Sequence, residues 1–174
     1  SESEKILEEA KRRIRKLLED VKEMVKRSRD YARESLKRIK DLVEESKREI
    51  DKLLEEIKRS GPTEELEKRL REINRRSREL VKKIREENER LHRRSKELVK
   101  EMEDRLREIE EEIRKKGLPS EVEEDLKRLL EEVKRELKRW EEDDKRLLDD
   151  SERALKEWED TDRRLLKRVE DELR

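Results

Sequence analysis

Only two stretches of this chain are able to break a helix: Ser60-Gly61-Pro62-Thr63 and Gly117-Leu118-Pro119-Ser120. Between them they hold every glycine and proline of the 174 residues. Each puts Gly where a left-handed residue ends a helix, then Pro, then a hydroxyl residue suited to capping the next helix. Ser120-x-x-Glu123 also reads as a capping box. Thr63 has Leu66 at the matching position and lacks the box, leaving Glu64 and Glu65 to favour the helix N-terminus. Cutting there leaves helices over residues 2–59, 63–116 and 120–174, with turns at 60–62 and 117–119. Connections this short force successive helices antiparallel. The expected fold is all-α: an elongated, antiparallel, up-down-up three-helix bundle spanning 1–174 as a single domain.

Composition agrees and removes most function classes. Charged residues make up 61% of the chain and apolar ones 28%, against roughly 25% charged in an ordinary globular protein. That excludes a conventional α/β enzyme or a β-sandwich, which need more apolar and turn residues. Disorder would fit the low hydropathy, but disordered chains usually lack periodicity and carry charge of one sign. Here 53 basic residues balance 53 acidic ones. Glu stands four residues before Arg at Glu8/Arg12 and Glu72/Arg76, the spacing of an exposed helix surface. Balanced charge leaves no electrostatic footprint for nucleic acid. With no cysteine there is no disulfide framework or zinc knuckle. Apolar runs never exceed two residues, so neither a membrane span nor a signal peptide is expected. No natural compartment is implied; a host making the chain would hold it soluble in its cytoplasm.

The inward stripe of the first helix runs 7, 10, 14, 17/18, 21, 24/25, 28, 31/32, 35/36, 39, 42/43, 46, 50, 53/54 and 57. Its step of about 3.6 residues is that of a nearly straight helix, not the 3.5 of a supercoil. The sequence also repeats every 18 residues, five turns of a straight helix. Residues 73–84 recur at 91–102, and residues 137–148 recur at 155–166.

Polar residues interrupt that stripe: Ser28, Ser35 and Ser46; Asn74, Ser77, Asn88, His92 and Ser95; Asp144, Ser151 and Asp162. Antiparallel pairing predicts which of them meet, because level partners have residue numbers with a nearly constant sum. Three levels result. One holds Ser28, His92, Ser95, Trp140 and Asp144, with Tyr31 near enough to join. A second, one 18-residue period away, holds Ser46, Asn74, Ser77, Trp158 and Asp162. A third holds Ser35, Asn88 and Ser151. Carboxylates accept where indole, amide, imidazole and hydroxyl groups donate, so each level can be satisfied internally. Such layers are expected to confer specificity more than stability. Removing Asp162 alone would strand the donors of Asn74, Trp158 and a serine.

Sharper chemistry is weighed against this. Ser95, His92 and Asp144 share a level in the manner of a hydrolytic triad, with Ser28 a second possible nucleophile. The copied level carries Asn74 in place of His92 with the rest unchanged, which is the logic of a structural motif. His92 and Asp144 offer at most two ligands to a metal, with no second His. Trp140 and Trp158 read as core anchors. No catalytic residue, metal or cofactor is expected.

Gly/Pro-punctuated loops, an interleaved Glu/Lys/Arg surface and a near-copied core together resemble computationally designed helical bundles with buried hydrogen-bond networks. The resemblance covers the whole chain. It implies a designed structural scaffold without natural biochemical activity, its modular networks serving fold specificity, and with no required partner. The alternative is a partner-binding or self-associating helical module: a component of a heteromeric bundle, or a cage with a displaceable helix. The first helix carries 19 apolar residues and the second only 13, so its wider stripe could face another chain. A helix contacting both neighbours needs that width anyway, and the monomer is the reading favoured.

Overall fold

The computed structural model describes residues 1–174 and contains three helices and no strand. They are α1 (Glu2–Ser60), α2 (Glu64–Lys115) and α3 (Ser120–Leu173). Gly61 and Gly117 take φ of 76° and 57°, the left-handed region that closes a helix at little cost only in glycine. The Gly61 N–H donates to the Ile57 carbonyl at 2.8 Å, which ends α1. Thr63 Oγ1 then accepts from the Leu66 N–H at 3.3 Å and caps α2.

The second turn departs from the expected capping box. Pro119, not Ser120, is the cap, its carbonyl accepting from the N–H groups of Val122 and Glu123 at 3.0 Å each. Ser120 is already helical. The two N–H groups that a Ser120 cap would serve are thus already met by backbone. Nothing lies within 4 Å of where a Cβ would stand on Gly61, so Gly61→Ala meets backbone strain alone. It should cost about 1 kcal/mol in denaturant melts.

Packing divides into two units. The first comprises Ser1–Tyr31 and Leu91–Arg146, the second Ala32–Arg90 and Leu147–Arg174. In the first, Ile14, Leu17 and Val21 of α1 meet Val99, Met102 and Leu106 of α2 and Leu126, Val133 and Trp140 of α3. Ion pairs Arg13–Glu112 and Arg105–Asp20 join α1 to α2, one number rising as the other falls, so the two helices run antiparallel. Lys134–Glu110 and Asp144–His92 relate α2 and α3 in the same sense.

In the second unit, Ile50, Leu53 and Ile57 pack with Leu70, Ile73 and Val169, while Ile39, Val81, Ile84, Leu155 and Trp158 form a further cluster. Arg38–Glu87, Arg76–Glu49 and Arg69–Glu56 set α1 antiparallel to α2. Arg85 reaches both Glu152 and Glu159 of α3. Most such pairs are solvent-exposed, and each contributes little to stability. Every position of the α1 stripe named above is buried or half-buried, and no large hydrophobic side chain is exposed. No helix is long and apolar enough to cross a membrane.

Candidate functional site

In the second unit, Ser35, Asn88 and Ser151 come together, one from each helix. The Ser35 hydroxyl donates to Asn88 Oδ1 at 3.1 Å, and Asn88 Nδ2 donates to Ser151 Oγ at 2.6 Å. Both serines are buried, and Asn88 is half-buried. One amide thus uses its acceptor toward α1 and a donor toward α3, which an ionised carboxylate, an acceptor only, could not do in its place.

The level in the first unit is joined in part. His92 Nδ1 and Asp144 Oδ2 lie 2.6 Å apart, both groups mostly buried. Ser28 and Ser95 are half-buried and make no hydrogen bond to His92, so no serine relay is assembled. Tyr31 is half-buried at the end of this unit's α1 segment. Trp140 is 1% exposed, and its indole N–H has no hydrogen-bond partner.

Sequence reasoning missed the more deeply buried neighbour, Asp143. It accepts from Arg29 Nε at 2.9 Å and Nη2 at 2.5 Å, and from Arg146 at 2.7 Å. Burial would raise its carboxyl pKa, but the hydrogen bonds and charges of Arg29 and Arg146 outweigh that and hold it below the usual carboxylate value. The signal was present: Asp143 stands three residues after Trp140 and four before Leu147, which is core phase on a helix. Across α2 and α3, Glu141 is pushed the other way by burial and by a hydrogen bond and like charge from Glu103.

The copied level in the second unit is built differently. Ser77, Trp158 and Asp162 are buried, while Ser46 and Asn74 are half-buried. No hydrogen bond joins Asp162 to Asn74, Ser77 or Trp158; Asp162 Oδ1 and Trp158 Nε1 are buried without partners. Burial pushes the Asp162 carboxyl up from its ordinary value, with the Arg78 charge pulling the opposite way. Asn74 is shorter than the imidazole of His92, and Arg29 and Asp143 have Lys47 and Thr161 as their 18-residue counterparts. The groups that tie the first copy together are those the second lacks. In their place an open groove of about 770 Å³ runs between α2 and α3, lined by Asn74, Ser77, Val81, Trp158, Asp162 and Leu166 among others.

No protein family and no curated protein matches the sequence. Among solved structures, one described as a computationally designed three helix bundle matches at 21% identity, with a TM-score of 0.47. The match covers 99% of this chain and 80% of that one.

Proposed function

We propose that this chain is a computationally designed structural scaffold with no natural biochemical activity, whose polar core layer serves to specify the fold. The observation that carries the reading is the Ser35–Asn88–Ser151 layer, where one amide links three helices through oriented hydrogen bonds. The near-copied 18-residue core and the turns reduced to Gly and Pro support it, since each local choice points to the same fold. A binding or self-associating module would be expected to leave apolar surface uncovered. The wide α1 stripe is instead taken up by two neighbouring helices, and no large hydrophobic is exposed.

Light scattering over a concentration series tests this directly. The scaffold reading expects a constant mass near 21.6 kDa. A mass that climbs with concentration would favour the self-associating module. We further propose that the chain acts as one domain, because each helix continues unbroken from one packing unit into the next.

A further inference from the structure

The α2–α3 groove of the second unit has the attributes of a ligand site and not of a packing defect. Its volume of about 770 Å³ lies within the range of small-molecule pockets, roughly 300–1,000 Å³. Its wall includes Asp162, 8% exposed, whose Oδ1 has no hydrogen-bond partner in the chain. A desolvated carboxylate oxygen of this kind is strongly unfavourable until something donates to it. Arg78 lies near enough to act through its charge, yet makes no hydrogen bond to the carboxylate. Two other guanidinium groups line the groove: Arg85 is engaged by Glu152 and Glu159, and Arg163 pairs with Asp160. Beside the carboxylate, Trp158, Val81 and Leu166 supply an apolar surface.

We propose that this groove binds small flat organic cations bearing paired N–H donors, such as an amidinium on an aromatic frame. Asp162 is the counter-ion, and the Trp158, Val81 and Leu166 surface packs against the frame. A carboxylate accepts two parallel N–H bonds from a planar amidinium as it does from arginine, which gives both charge and direction. Five basic and five acidic side chains line the groove, so its net charge selects neither sign, and the selection falls to the unpartnered Asp162 oxygen, which only a donor can satisfy. A helix is disfavoured because no large hydrophobic side chain is exposed beside the groove to meet its apolar ridge.

Benzamidine is the probe, and the indole N–H signals in a two-dimensional ¹⁵N–¹H spectrum are the readout, assigned with Trp140→Phe. On the full chain the Trp158 signal should shift saturably with a Kd on the order of 1 mM, a fragment's affinity. The Trp140 signal, from the other unit, should stay still. Neutral benzamide, of nearly the same shape, should bind at least about tenfold more weakly, as should benzamidine to Asp162→Asn. The benzamide comparison uses the unmodified chain, so it stands even if that variant folds poorly. Non-saturating shifts, equal shifts with benzamide, or undiminished binding to a folded Asp162→Asn would each overturn the proposal. So would Trp158 shifts that follow protein concentration alone together with a doubled mass, which would assign the groove to a second copy of the chain.

Discussion

Replacing Asn88 with Leu should destabilise the chain by about 1–3 kcal/mol, although it adds apolar volume to the interior. The amide bonds the hydroxyls of both Ser35 and Ser151, which are 6% and 5% exposed. A leucine there leaves both without the bond they make now. Each serine can turn toward a carbonyl of its own helix, which keeps the cost at the lower end of that range. Exchanging all three residues for fitted apolar ones should be nearly neutral or stabilising, because no group is then left unmet. Urea melts of the single and triple variants check both statements. A neutral Asn88→Leu would mean that the layer contributes nothing as a unit.

Asp162→Leu should act with the opposite sign and stabilise by about 1–2 kcal/mol at neutral pH. Asp162 sits in a polar level much like that of Asn88, but its buried oxygen has no donor, so removing it strands no established bond. This reverses the sign expected from sequence, where Asn74 and Trp158 were to bond to it. The pH dependence follows from burial raising the carboxyl pKa, opposed by Arg78. The folded state holds the proton more tightly than the unfolded state, so this group's contribution to stability is full below the unfolded value, about pH 4. It is lost as pH rises through the folded value. The advantage of Asp162→Leu should therefore be largest near pH 7 and shrink on acidification toward that window. Asp143, held low by Arg29 and Arg146, contributes in the opposite sense, above its unfolded pKa. Comparing each variant with the parent at the same pH removes that background. An advantage that grew in acid would show that Asp162 is held by a partner in its charged form.

Much of the fold was legible because it depends on local chemistry and period. Gly61 and Gly117 admit the left-handed φ, and the inward stripe fixes which face each helix buries. The Ser35, Asn88 and Ser151 level was legible from numbering, since antiparallel helices with short turns have one register. What could not be read was reach. His92 and Asn74 occupy equivalent repeat positions, yet the imidazole spans the gap to Asp144 while no hydrogen bond joins Asn74 to Asp162. The capping at Ser120 failed for a related reason, because the Pro119 carbonyl arrives first. Asp143 and its neighbour Asp144 both lie close to the inward face. Periodicity ranks faces, and two adjacent residues near the edge of a face are separated only by where an arginine can extend.

The direction of the Asn88 hydrogen bonds has a consequence for how the chain finds its own alignment. Layers of leucine and isoleucine are nearly indifferent to a slide of one helical turn, about 5.4 Å, since one branched side chain replaces another. An amide is not indifferent. Slid by a turn, Asn88 would lose contact with Ser35 and Ser151 and face aliphatic carbon, while an aliphatic residue faced the two hydroxyls. On the proposed scaffold reading, the amide acts as a punctuation mark in otherwise repetitive text. A handful of polar atoms would then tell the helices where to start counting.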